Sequence, residues 1–264
     1  MPLTARETHA SALLAWFAEN GRDLPWRRTR DPYAILVSEV MLQQTQVARV
    51  LERYPAWLER WPTPASLASA PAADVLRAWS GLGYNRRALN LQNAARRVVE
   101  LGEFPREIAG LERLPGIGPY TARAIACFAF GAEVTALDTN VRRVLERSLG
   151  TSDVQPPPGR AWDWNQALFD LGARVCLARV PRCDRCPLAA LCPVRGQTFA
   201  PLRRQSRFEG SRRQRRAALV RELAEGPRAE GGYDRDVVAS LLADGLAVRR
   251  ADGLLALPEE VTAS

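Results

Sequence analysis

The chain has 264 residues, 47% of them hydrophobic, enough apolar material for a globular core. Its net charge of +8 points to a polyanionic partner. No apolar run approaches the ~20 residues of a membrane span, and the first residues do not read as a signal peptide. The default expectation is therefore a soluble intracellular protein, cytoplasmic and of bacterial type. All 37 residues in the Lys+Arg count are Arg. A lysine Schiff base, the usual route to cutting DNA at an abasic site, is not available to this chain.

In chain order, Thr4–Asn20 reads as a helix with Leu13, Leu14, Trp16 and Phe17 on one face, ended by Gly21. The single histidine, His9, lies in it and is given no catalytic role. Leu24-Pro25-Trp26-Arg27 follows as a polar-aromatic loop: either a linker with one Trp in the core, or a wall that sandwiches a base while Arg27 meets a phosphate. Pro32 opens a helix running to about Tyr54. Glu39 stands in it among Val37, Val40, Met41 and Leu42, surroundings that keep a carboxyl protonated and fit a general acid. Gln43, Gln44 and Gln46 cluster after it, amides suited to base edges. Short helices follow near Pro64–Ala70 and Ala72–Ser80. Gly81-Leu82-Gly83-Tyr84 is then a turn able to wedge Tyr84 into a base stack, with Arg86 and Arg87 behind it to hold backbone.

Leu89–Leu101 and Pro105–Leu114 read as helices. Leu114-Pro115-Gly116-Ile117-Gly118 is a glycine-punctuated turn into the small, apolar helix that Pro119 opens. The amides from Gly116 to Tyr120 form a helix N-terminus suited to a phosphate. Asp138 then precedes Asn140 and the helical run Val141–Leu149, where Asp is also a common helix cap. Trp162–Val175 reads as a helix with Asn165, Gln166 and Asp170 on its polar side. No strand-type alternation occurs before Cys176, so the body is all-α.

Cys176, Cys183, Cys186 and Cys192 fall within seventeen residues, spaced C-x6-C-x2-C-x5-C. Thiolates this close imply a metal centre in a reducing compartment, and either zinc or a [4Fe–4S] cluster satisfies four of them. Cys127 reads as a core thiol. Arg203–Arg216 holds seven Arg and one acid, Glu209, a run suited to phosphates. Beyond it, two helices (Ser211–Glu225 and Asp234–Leu242) and a hairpin turning at Ala251-Asp252-Gly253 make a winged-helix-like module ending at Leu257.

Together these motifs resemble the adenine DNA glycosylases of the endonuclease III-like helix-hairpin-helix superfamily. The resemblance rests on Leu24–Arg27, Ser38–Val47, Gly81–Tyr84, Leu114–Ala122, Leu137–Leu145 and the clustered cysteines. It implies an iron–sulfur helical domain at 1–30 and 135–197, a helix-hairpin-helix six-helix barrel domain at 31–134, and a basic linker with the winged-helix-like tail at 198–264. It implies a [4Fe–4S] cluster on the four cysteines. It also implies a monomer acting on double-stranded DNA with adenine opposite 8-oxoguanine or guanine. By the same resemblance, Glu39 protonates adenine N7 and Asp138 stabilises the oxocarbenium-like sugar. Asn140 positions Asp138, and Tyr120 stands where lyases carry Lys. Gln44 and Tyr84 insert around the lesion pair, with Leu24, Trp26, Arg27, Gln43, Arg86, Gly116 and Gly118 as further DNA contacts. Two features depart from the pattern. Thr139 stands where Gly is frequent, and the chain is too short for the family's 8-oxoguanine-recognising C-terminal domain. Three rivals are a thymine glycosylase of G·T mismatches, a bifunctional lyase and a non-catalytic iron–sulfur DNA-binding module. Glu39, Tyr120 and intact Asp138, respectively, oppose them.

Overall fold

The computed structural model describes residues 4–200 and 207–259. Arg203 and Arg204 of the basic run lie outside these. The described chain divides into two compact units, each taken by itself: residues 4–35, 106–111 and 118–200, and residues 36–105, 112–117 and 207–259.

The first unit is built on α1 (Ala5–Asn20), α9 (Thr139–Leu149) and α10 (Ala161–Arg174). Thr4 starts α1 with a capping box, its hydroxyl taking the Glu7 amide while the Glu7 carboxylate takes the Thr4 amide. The apolar faces of the three helices meet in a core of Leu13, Val144, Leu145, Trp164, Leu168 and Leu171. His9 lies in that core, its Nε2 2.8 Å from Ser148 Oγ, and burial pushes it down to about 4, so it is a neutral packing residue. The polar residues of α10 point inward rather than to solvent, against the pattern reading. Asn165 accepts from the Ala136 amide at 2.8 Å and donates to Val134 O and Ala161 O. Buried amides survive where every donor finds an acceptor.

Also in this unit are α7 (Ile108–Leu111) and α8 (Pro119–Phe130). The sequence grouping of 31–134 into one domain is thus divided. Phe128 of α8 meets Phe169 of α10 edge-on at 6.0 Å, and Asn165 donates to the buried Cys127 thiol. Burial pushes that thiol up to about 11, as expected of a core cysteine.

The second unit contains most of α2 (Pro32–Leu42), then α3 (Val47–Arg60), α4 (Pro64–Ala68), α5 (Ala72–Ala78) and α6 (Arg86–Leu101). The single helix expected from Pro32 to Tyr54 is two, because Gln44 turns left-handed (φ 54°) and Thr45 Oγ1 bonds to Gln43 O and Leu82 O. Buried Gln92 of α6 donates to Leu67 O and Ala70 O, fixing the end of α4. The tail belongs to this unit: α11 (Arg212–Glu225), β1 (Arg228–Ala229), α12 (Arg235–Ala243), β2 (Val248–Arg249) and β3 (Leu254–Ala256). The strands form an antiparallel sheet in the order β1-β3-β2, with Arg228 opposite Leu255 and Val248 opposite Ala256. This is the winged-helix-like module expected, with one more strand. Among the described residues no helix is long and apolar enough to cross a membrane.

Candidate active site and cysteine loop

Asp138 caps α9. Its carboxylate accepts the Val141 amide at 2.6 Å and the Asn140 side-chain amide at 2.9 Å. Both bonds fix the carboxylate's orientation while leaving it half-buried. Asn140 fits because residue 172 is Gly: a Cβ there would lie 3.0 Å from the Asn140 Cβ. Tyr120, in the first turn of α8, is half-buried and packs edge-on against Phe169 at 5.9 Å. Its position follows Gly118, which no side-chain cap replaces at the α8 N-terminus.

One turn along α9, Arg143 donates to Cys176 O at 2.9 Å and to Gly172 O at 2.8 Å. Burial lowers its pKa, and the Cys176 sulfur opposes that most strongly. Arg147 continues the row, donating to Leu177 O and Ala178 O, with its guanidinium 3.5 Å from the Phe199 ring centroid. The helix that presents Asp138 is therefore bonded directly to the start of the cysteine loop.

The four loop cysteines are unbridged, half-buried and line one small pocket of about 30 Å³. Arg147 Nη1 lies 3.6 Å from Cys176 Sγ, and the Gly196 amide donates to Cys183 Sγ at 3.4 Å. Cation and amide donors aimed at sulfur suit thiolates that carry charge. Burial pushes the Cys186 thiol up to about 11 and raises Cys192 as well, so a bound metal is what would strip their protons. Among the described residues, no three such donors are gathered closely enough to hold a metal ion. The thiols instead ring the pocket.

In the second unit, Glu39 is 6% exposed among Leu36, Val37, Val40 and Met41, the apolar surroundings its sequence implies. Gln44 is exposed, Gln43 half-buried, and Tyr84 42% exposed. Gln44 and Tyr84 (φ 48°) are the only non-glycine residues with positive φ among those described. Such strain costs about 1–3 kcal/mol each and persists only where neighbours over-determine it. The neighbour is Arg87. Its guanidinium donates to Val40 O, Met41 O, Thr45 Oγ1, Leu82 O and Gly83 O at 2.7–3.1 Å, and sits over the Trp79 and Tyr84 rings. Burial pushes it down to about 10, still protonated at neutral pH. One cation thus joins the Gln44 turn to the Tyr84 turn. Gly116 (φ 76°) is held against Asn90, whose Cβ would stand 2.7 Å from an added Cβ. Arg86 pairs with Asp244 at 2.8 Å.

Arg27 is held within the protein: its side chain is 6% exposed and forks onto the fully buried Asp170 at 2.7 and 3.1 Å, which Arg22 also pairs at 2.8 Å. Leu24 and Trp26 are buried beside it. Burial drives the Asp170 carboxyl up, but the hydrogen bonds from Arg27 and Arg22 outweigh this and hold it below the usual carboxylate range. Arg87, Asp170, Arg143 and Arg147 were not singled out as a bonding network from the sequence. The available signal was an acid in an apolar helix and arginines that follow motif residues.

Residues 37–160 match the HhH-GPD superfamily of base excision DNA repair proteins. Adenine DNA glycosylases of Mycobacterium tuberculosis and Mycolicibacterium smegmatis are each 44% identical over 94% of this chain, and the chain covers 93% and 95% of them. The human adenine DNA glycosylase is 43% identical over 70% of the chain and 39% of its own length. Among solved structures, a thermostable thymine-DNA glycosylase aligns with a TM-score of 0.66 at 31% identity, covering 72% of this chain and 95% of that one. An endonuclease III in a non-covalent DNA complex aligns at 0.60 and 26%, covering 73% and 96%. The chain belongs to the adenine DNA glycosylase family of the HhH-GPD superfamily.

Proposed function

We propose that this chain is a monofunctional glycosylase that hydrolyses the N-glycosidic bond of adenine opposite 8-oxoguanine or guanine. The observation that carries this reading is Glu39, a carboxyl buried in an apolar helix of a chain 44% identical to adenine DNA glycosylases across most of its length. Glu39 gives its proton to adenine N7. The C1′–N9 bond breaks with its electron pair leaving on the base. Asp138, oriented by Asn140 and the Val141 amide, stabilises the cationic sugar. Water adds at C1′, and its lost proton restores Glu39. Two carboxylates in unlike environments divide acid and charge-stabilising roles, as sugar chemistry requires. Tyr120 occupies the place of a lyase amine, and the chain has no Lys, so the abasic strand stays intact. Gln44 and Tyr84 enter the duplex at the mispair, Gln43 is a further contact to it, and the amides at Gly116 and Gly118 take a phosphate. Cys176, Cys183, Cys186 and Cys192 hold a [4Fe–4S] cluster whose contribution is to order the Arg-rich loop rather than to react. We place the protein in the cytoplasm, acting as a monomer.

The test is a strand-nicking assay on duplexes with A opposite 8-oxoguanine, G or C, and T opposite G, each with and without alkali. Nicking at A opposite 8-oxoguanine and G, only after alkali, is the expected result. Cutting confined to T·G duplexes, or alkali-independent cutting with borohydride trapping that survives blocking the N-terminus, contradicts it. Iron and acid-labile sulfide in the purified protein are expected, and zinc alone would remove the cluster.

A further inference from the structure

The tail module does more than complete a fold. Together with the Gln44 and Tyr84 turns it lines a cavity of about 1270 Å³. Seven arginines line this space against two acids, Glu52 and Asp244, although the Arg87 guanidinium is committed to Val40 O, Met41 O, Thr45 Oγ1, Leu82 O and Gly83 O. Asp244 alone serves two of them, Arg86 and Arg216. Arg213 of α11 donates to the Tyr84 hydroxyl at 3.2 Å, so a tail residue touches one of the two strained side chains. The floor includes Val220, Leu241 and Leu246 from the tail. Concave surfaces of one charge sign concentrate counter-charge.

We propose that this trough binds the sugar–phosphate backbone of duplex DNA next to the mispair, with Arg213 and Arg221 of α11 as phosphate contacts. This rests on the assignment of Tyr84 and Gln44 to the duplex. A polyanion matches the lining better than a small anion, because a space of about 1270 Å³ lined by arginines from three separate stretches of the chain is far larger than one small anion fills. The tail is thus part of the DNA-binding surface, and Arg213 couples backbone contact to the placement of Tyr84.

The probe is a duplex with 2′-fluoro-2′-deoxyadenosine opposite guanine, a substitution that slows glycosidic cleavage. Affinity for the full chain is measured between 50 and 200 mM salt. Each phosphate contact adds about 0.9 to the slope of log affinity against log salt. The double variant Arg213→Ala/Arg221→Ala is expected to lower the slope by about 2 and the affinity on the order of tenfold. The control Arg228→Ala/Arg250→Ala removes the same charge from the same module away from the cavity and is expected to keep the wild-type slope. Arg213→Lys/Arg221→Lys, which retains charge, is expected to keep most of it. An unchanged slope in the alanine pair, or an equal fall in both alanine pairs, overturns the proposal. If the alanine pair does not fold, the exposed Arg221→Gln alone decides, with an expected fall of about 1. Release of adenine by the wild type from the unfluorinated duplex is scored separately. Its absence defeats the functional reading, whereas the slope alone judges the trough.

Discussion

The two compact units hold their functional residues by different physics. In the first, charged side chains sit on short, paired bonds: Asp138 takes two donors, Arg143 ties α9 to the cysteine loop, and Asp170 is forked by Arg27 and Arg22. In the second, Gln44 and Tyr84 stand exposed in left-handed backbone, and the bonds that keep them there converge on Arg87. The first unit is preorganised for charge. The second stores strain next to an open, cation-lined space. A carboxylate such as Asp138 is oriented by its donors, whereas exposed side chains such as Gln44 and Tyr84 need support from behind. The two kinds of support fail differently.

The largest expected effect is chemical. Glu39→Gln keeps shape but cannot donate a proton, so base release is expected to fall ~10²–10⁴-fold. Duplex affinity and melting temperature should change little, and single-turnover base release together with equilibrium binding checks both. Wild-type turnover would remove Glu39 as the acid.

Next in size is the buried ion pair. Asp170→Asn leaves Arg27 buried without its counter-charge and is expected to cost about 3–5 kcal/mol in urea unfolding. The same carboxyl sets a pH dependence. Its folded-state pKa lies below the ordinary value of 3.8, so its stabilisation is complete above that value and is lost as pH falls through the lower folded one. The wild type should therefore lose stability in that acid window, and Asp170→Asn should lose less of its own there. Parallel acid profiles would mean that Asp170 adds no linkage.

Arg87→Lys is expected to act in the second unit and act differently. An ammonium cannot serve five acceptors in a planar fork. Stability should fall by about 2 kcal/mol, as acceptors lose donors. Mispaired-duplex affinity should fall about tenfold, as Gln44 and Tyr84 lose their common support. The first-order rate of base release from saturated complex should fall less. An equal loss in rate and affinity would place Arg87 in the chemistry rather than in the support of the two turns.

Much of this was legible in the chain. Glu39 among apolar neighbours, Asp138 ahead of a helix, and the cysteine spacing each announce themselves locally, because one short segment sets their environment. The sequence shows no break in the helix from Pro32 to Tyr54 because Gln and Thr are tolerated in helices, and only contacts with Leu82 and Arg87, some forty residues away, impose the turn at Gln44. The bonding of Arg27 is hidden from the sequence for the same reason. Its partner Asp170 lies 143 positions on, and Asp170 itself looked like a polar-face residue. Long-range pairing of charges leaves no periodic trace. The tail was legible as two helices and a hairpin, but its place beside Tyr84 was not, since nothing in α11 marks Arg213 apart from the arginines around it.

The central claim is that Asp138 is a charge stabiliser as well as a cap, and Asp138→Asn separates the two. Asn caps helices about as well as Asp, so the α9 start should survive, with stability changed by less than about 1 kcal/mol from the lost helix-dipole charge. Removing the negative charge should slow adenine release ~10²-fold or more while duplex binding remains. The measurement is single-turnover adenine release from an A·8-oxoguanine duplex beside the thermal unfolding of the same sample. A lost rate with an unchanged unfolding curve is the predicted result, and a wild-type rate, whatever the unfolding curve, would contradict it.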